Sequence, residues 1–165
     1  KEEVSFLFSL IEKKLRKEGE NLNRNNVKVE FSGRRQQLPE KLVEIMDYVQ
    51  NLTKNNNGLT LIFAINYGGR QEILDAIEKI IKKTNIKEIK EENFRNFLYL
   101  PDVPDVDLII RTAGEKRLSN FLLWQSAYSE FYFTNVLWPD FGKDDFYKAL
   151  VSYQKRKRKF GGLVK

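Results

Sequence analysis

Val106-Asp107-Leu108-Ile109-Ile110-Arg111-Thr112-Ala113-Gly114-Glu115-Lys116-Arg117-Leu118-Ser119-Asn120-Phe121 is the stretch on which the reading of this chain turns. Its first part is short, mostly apolar and β-branched, which predicts a buried strand with Arg111 at its carboxyl end. Open α/β sheets bind their ligands at that end. The residues after Arg111 hold a glycine and several charges, as a loop does. Ser119 or Asn120 then stands where the N-cap of a helix is expected, ahead of Phe121-Leu122-Leu123-Trp124. Two guanidinium forks, a hydroxyl and a helix N-terminus would thus converge, each suited to phosphate oxygens. Glu130, in Tyr128-Ser129-Glu130-Phe131-Tyr132-Phe133, sets a carboxylate nearby in sequence.

Outward from this stretch, helix and strand signals alternate. Val4, Leu7, Phe8, Ile11 and Leu15 keep helical spacing, and the polar Gly19-Glu20-Asn21 marks that helix's end. Val27 to Phe31 alternates like a half-exposed strand, Pro39 opens a helix reaching about Leu52, and Leu59 to Ile65 is apolar enough for a strand covered on both faces. Beyond Gly68-Gly69, Ile73, Leu74, Ile77, Ile80 and Ile81 form the apolar side of a helix ending near Lys83. A short helical piece over Glu91 to Leu98 follows. Strands are expected at Asp107 to Arg111 and Phe131 to Thr134, with a helix from Asn120 to about Ser129 between them. A last helix runs from Asp144 to about Arg158 with Phe146, Leu150 and Tyr153 inward. The fold class is therefore α/β, a mainly parallel β-sheet flanked by helices.

The 165 residues, 41% apolar and 13% aromatic, suffice for one ordinary core, so residues 1–165 are expected to form a single domain. No run approaches the roughly 18 apolar residues of a membrane span, which makes the cytoplasm the expected location. With no Cys and no His in the sequence, disulfides, zinc fingers and imidazole or thiolate catalysis are excluded for these residues, and any metal must rest on oxygen ligands. Lys155-Arg156-Lys157-Arg158-Lys159 concentrates positive charge. Such a run reads as a solvated helix end, or as a contact for nucleic acid, an anionic membrane surface or a diphosphate.

The stretch around Arg111, together with Asn66-Tyr67-Gly68-Gly69-Arg70, Val136-Leu137-Trp138-Pro139-Asp140-Phe141 and the terminal Phe160-Gly161-Gly162, resembles the cis-prenyltransferases, the family of undecaprenyl diphosphate synthase. The motifs occur in order from about the first helix onward. The family's early phosphate loop, with an Asp in a Met-Asp-Gly-Asn-Gly-Arg-like run, has no counterpart here, nor does the Asn-Trp segment after it. The resemblance thus implies the carboxyl-terminal part of such an enzyme, with no catalytic residue among those present and no turnover by this chain alone. An upstream segment not shown, a deletion, or a noncatalytic subunit supporting an active partner would each account for this.

The resemblance implies condensation of isopentenyl diphosphate with an allylic diphosphate, farnesyl diphosphate as starter, giving a long cis-polyprenyl diphosphate such as undecaprenyl diphosphate. It implies that Arg111, Arg117 and Ser119 grip the diphosphate of isopentenyl diphosphate and that Glu130 helps hold Mg²⁺. Mg²⁺ prefers one or two carboxylates plus phosphate oxygens and water. Lys116 stands where some members place a His; it cannot ligate a cation while charged, but can touch phosphate. Arg70 is a candidate contact in the same crevice. Leu7, Phe8 and Ile11 are the implied walls of an apolar tunnel for the growing chain, against the general expectation that such a helix face is core. Lys159-Phe160-Gly161 matches an Arg-X-Gly element that, in dimeric members, reaches the partner's active site; Lys keeps the charge and loses the fork. A homodimer and a peripheral membrane contact for product release are implied likewise. A basic nucleic-acid-binding domain is the reading from another class, without a recognition motif or aromatic platform to support it.

Overall fold

The computed structural model describes residues 2–83 and 88–158. The chain divides into two compact units, Lys1–Gly68 and Gly69–Lys165.

The first unit comprises α1 (Glu2–Arg24), β1 (Lys28–Ser32), α2 (Glu40–Thr53) and β2 (Thr60–Ala64). Strands β1 and β2 pair in parallel, from Lys28 opposite Thr60 to Ser32 opposite Ala64, with α2 as the crossover. Leu42, Ile45, Met46 and Val49 recur at helical spacing on α2 and are buried against Val29, Phe31, Leu15 and Ile65. Each such side chain contributes roughly 1.5–3 kcal/mol of burial. Thr53 ties the end of α2 to β1: its hydroxyl donates to the Val49 carbonyl at 2.9 Å and accepts from the Val29 N–H at 3.0 Å.

Two expectations change here. The first helix runs past Gly19 to Arg24, because that glycine is buried where α1 crosses α2: an added Cβ would lie 3.0 Å from Val49 Cγ2. Packing overrides the local stop signal. Strand β2 is apolar as read, yet none of its five residues is buried. Among the described residues it pairs with β1 alone.

The second unit holds α3 (Gly69–Lys82), a short α4 (Glu91–Phe94) continued by a 3₁₀ turn (Arg95–Phe97), β3 (Leu108–Arg111), β4 (Glu130–Phe133), a second 3₁₀ turn (Trp138–Asp140) and α5 (Lys143–Gln154). Its core is Ala76, Phe94, Phe97 and Leu98, with Trp124 tilted against Phe94 at 4.4 Å between ring centres. Strands β3 and β4 form a second parallel pair, Leu108 opposite Glu130 and Arg111 opposite Phe133. The α/β architecture with parallel strands and flanking helices is as expected.

Three helices differ from their sequence patterns. The expected helix from Asn120 to Ser129 is absent; the segment is a series of turns, with Ser119, Asn120 and Leu122 at positive φ, which an α-helix does not contain. The buried face of α3 is Gly69, Glu72 and Ala76, so Leu74, Ile77 and Ile81 face outward despite their spacing. On α5 the fully buried residue is Ala149, and Phe146 is exposed, in ring contact with its neighbour Tyr147.

At the start of α5, the Lys148 ammonium and then the Gly142 N–H hold the Asp145 carboxyl below its ordinary pKa. The folded value is depressed, so this contribution is present above the unfolded value and lost as pH falls through the folded one. The first turn of α5 is therefore expected to fray below about pH 4, and amide exchange at Gly142 to Phe146 measures it. Unchanged protection at pH 3 would contradict the cap's role.

Candidate functional site

Arg111 is the last residue of β3, at the strand's carboxyl end, where the sequence placed it. The loop after it is built rather than loose. The Ala113 N–H donates to the Val136 carbonyl at 2.9 Å and the Gly114 N–H to the Thr134 carbonyl at 2.8 Å, while Thr134 N–H returns to the Arg111 carbonyl at 3.0 Å. Both Ala113 and Gly114 have positive φ, 62° and 69°. At Gly114 a Cβ would also meet Asn135 Oδ1 at 3.0 Å, so the glycine serves conformation and close approach together.

This loop folds Arg117 back toward Arg111. One Arg111 Nη donates to the Arg117 carbonyl, and the Arg117 guanidinium pairs with the Glu115 carboxylate. Arg111 is thus tied to the backbone of Arg117, whose own guanidinium is engaged by the Glu115 carboxylate. An incoming dianion can replace Glu115 on Arg117 and use the remaining Arg111 donors. Lys116 and Ser119 lie exposed in the same loop.

The helix N-terminus expected at Ser119 is not there, because Asn120 caps another helix. Its carbonyl oxygen accepts from Gly69 N–H at 2.7 Å, and its side-chain oxygen accepts from Arg70 N–H at 2.9 Å. Both donors belong to the first turn of α3, so the loop and that turn are locked together, and Arg70 is brought beside the loop by its backbone. Gly69 is required by packing and not by φ: a Cβ there would lie 2.7 Å from Leu123 Cγ and 3.0 Å from Leu123 N. Gly69→Ala is expected to cost about 1–3 kcal/mol through overpacking. A denaturant midpoint equal to the parent's would contradict this.

Behind the loop, Glu72 is only 2% exposed. It accepts from the Tyr99 N–H and from Gln125 Nε2, both at 3.0 Å. A buried carboxylate thereby joins α3 to the turns that follow Asn120. Sequence reasoning passed over it, since a lone Glu on a helix normally faces water.

Glu130 is elsewhere. It opens β4 and pairs with Leu108, at the amino end of the strand pair, whereas Arg111 pairs with Phe133 at the carboxyl end. Three residues along a strand span about 10 Å and reverse the face. Glu130 and Arg111 therefore occupy opposite ends and opposite faces. The Glu130 carboxylate instead accepts from Arg156 at 2.6 Å. Among the described residues there is no group of three His, Cys, Asp or Glu side chains able to hold a metal ion. Within one chain the register thus sets Glu130 away from Arg111, and it is Arg156 that engages its carboxylate.

The tunnel candidates divide. In the first unit a mostly apolar cleft of about 400 Å³ is lined by Leu10, Ile11, Leu15 and Leu22 of α1 and by Phe63, Ala64 and Ile65 at the end of β2, with Lys14 and Glu18 among its walls. Ile11 is in it. Phe8 packs against the core cluster instead, and Leu7 is 47% exposed. Leu10 and the end of β2 were missed, although the apolar run to Ile65 was a signal for them. Lys159 lies outside the described residues. No helix among the described residues is long and apolar enough to cross a membrane.

Comparison with known proteins gives this geometry a lineage. A sequence model of the undecaprenyl diphosphate synthase family matches residues 1–161. An isoprenyl transferase of Thermotoga maritima is 56% identical over 167 residues, an alignment covering 99% of this chain and 72% of that protein. A tritrans,polycis-undecaprenyl-diphosphate synthase of Thermoplasma acidophilum, geranylgeranyl-diphosphate specific, is 51% identical over 97% of this chain and 65% of its own length. Among solved structures, lavandulyl diphosphate synthase from Lavandula x intermedia, in complex with dimethylallyl diphosphate, superposes with a TM-score of 0.93 at 40% identity, covering 98% of this chain and 72% of that one. The chain belongs to the undecaprenyl diphosphate synthase family of prenyltransferases.

Proposed function

We propose that this protein takes part in cis-prenyl chain elongation, condensing isopentenyl diphosphate with an allylic diphosphate. The observation that carries the reading is the convergence of Arg111 and Arg117 in a pinned loop at the carboxyl end of β3. Two guanidinium-bearing residues in one pinned loop suit a ligand with several adjacent anionic oxygens. Arg111 and Arg117 would bind the diphosphate of isopentenyl diphosphate, with the Ser119 hydroxyl and Lys116 as further donors and Arg70 at the edge. Fixing that diphosphate aims the substrate's double bond, which is the positional part of catalysis for a carbon–carbon bond formed at an allylic cation. The apolar cleft between α1 and β2 would take the hydrocarbon tail.

The starter follows family membership less tightly: farnesyl diphosphate is our first choice, and the geranylgeranyl-specific relative makes a longer starter the comparison to run. Undecaprenyl diphosphate as product, a homodimer, a cytoplasmic protein and a peripheral membrane contact at product release belong to the same proposal. Mg²⁺ enters it as a companion of the diphosphates, held by phosphate oxygens and water and not by Glu130 of the same chain. The 165 residues alone contain no match to the Asp-bearing phosphate loop and are expected to bind isopentenyl diphosphate without turning it over.

Calorimetric titration with isopentenyl diphosphate tests the diphosphate site. Binding is expected in the parent and is lost in Arg111→Ala/Arg117→Ala; equal binding in both would sink the assignment. For the cleft, Ala64→Phe fills space at the end of β2 and is expected to shorten the product while leaving isopentenyl diphosphate binding intact. An unchanged product length would remove the cleft from the account.

A further inference from the structure

The basic run after α5 is not a uniformly solvated tail. Arg156 is forked: one Nη donates to the Glu130 carboxylate at 2.6 Å and the other to the Phe131 carbonyl at 2.7 Å. Both side chains of this pair are less than one-third exposed, 32% and 29%. Two residues on, Arg158 pairs with the Asp107 carboxylate, donates to the Tyr153 hydroxyl at 2.9 Å and reaches the Tyr128 carbonyl at 3.1 Å. The two acids are themselves joined, because Glu130 N–H donates to the Asp107 carbonyl at 2.9 Å. Helix α5 ends at Gln154, before the run, and the chain turns so that alternate residues, Arg156 and Arg158, reach this pair. Lys155 and Lys157, between and before them, are exposed.

We infer that Glu130 and Asp107 form an internal dock for the segment that leaves α5, and that Glu130 is a positioning residue for this segment. The fork explains why Arg and not Lys stands at residue 156: one side chain satisfies a carboxylate and a backbone carbonyl at once, which a point charge on a flexible stem cannot do with the same fixity. Opposite charge and fixed direction together set the path of residues 155–158. The dock does not depend on the proposed reaction.

Endoproteinase Lys-C tests it on the full chain, since Lys155 and Lys157 flank Arg156 and neither arginine is a cleavage site. Cleavage there tracks the population of the open segment. Glu130→Gln and Arg156→Gln are each expected to raise it about tenfold, the size of one lost charge-assisted hydrogen bond. The double variant is expected to add little to either single, and the exchanged pair Glu130→Arg/Arg156→Glu to recover part of the protection. Singles without effect, or effects that simply multiply, overturn the dock. Should Glu130→Gln fail to fold by circular dichroism, Arg156→Gln carries the same test.

Discussion

Replacing Arg111 with alanine is expected to raise the KM for isopentenyl diphosphate about a hundredfold, the loss of one or two charge-assisted hydrogen bonds to a diphosphate at roughly 1.5–3 kcal/mol each. The turnover number should fall less, because the residue binds a part of the substrate distant from the bond that forms. Arg111→Lys restores charge without the fork and is expected to recover only part of the loss. The Arg111 contact with the Arg117 carbonyl predicts an accompanying loosening of the loop, so Arg117→Ala measured alone should also weaken isopentenyl diphosphate use. Steady-state kinetics on the polypeptide with any residues encoded upstream of Lys1, the allylic substrate saturating, separates these terms. A KM within twofold of the parent's in Arg111→Ala would remove the residue from the diphosphate site.

The second large effect is on stability. Glu72→Leu leaves the part-buried Tyr99 N–H and Gln125 amide without the Glu72 acceptor they now share. An unsatisfied buried donor costs about 1–3 kcal/mol, so the change is expected to cost roughly 3 kcal/mol in all. For a chain of this size that corresponds to a fall in Tm of about 6–12 °C. Glu72→Gln keeps one acceptor and turns an amide donor toward the other site, and is expected to fall between. Because Gln125 follows closely on the Ser119 and Asn120 turn, weaker isopentenyl diphosphate binding should accompany the lost stability. A Leu variant as stable as the parent would mean that other groups satisfy those donors.

The parts of the fold that were legible in the sequence were those fixed by local pattern. The apolar run ending at Arg111 read as a strand and is one, although only Ile109 of its four residues is buried, and a charged, glycine-bearing loop after it put the two arginines at the ligand-binding end. Helix α2 was legible because Leu42, Ile45, Met46 and Val49 all face one core. What misled was apolar residues recruited by tertiary contacts. Leu122, Leu123 and Trp124 read as a helix, but Leu123 fills the space over Gly69 and Trp124 packs on Phe94, while Leu122 takes positive φ. On α3 the apolar stripe outweighed a single carboxylate, yet Glu72 is the buried one, because its partners come from distant segments that no helical period encodes.

The site was half legible for the same reason. Arg111 and Arg117 are brought together by a short loop, and short-range geometry can be read from spacing. Glu130 is set by strand register, and a parity of two decides which face it takes. Its partner Arg156 was hidden in a basic run whose average behaviour is solvation, while the structure engages alternate members of that run. Asn120 was named as a cap, but for a helix of its own; it caps α3 instead.

Incorporation of labelled isopentenyl diphosphate into extractable lipid is the most direct test, using the polypeptide with any residues encoded upstream of Lys1, Mg²⁺ and farnesyl or geranylgeranyl diphosphate as starter. The account predicts incorporation that depends on the starter, yields a polyprenyl product and collapses in Arg111→Ala/Arg117→Ala. Folded protein that binds isopentenyl diphosphate but incorporates none, with either starter, would contradict the transferase and leave a noncatalytic member of the family.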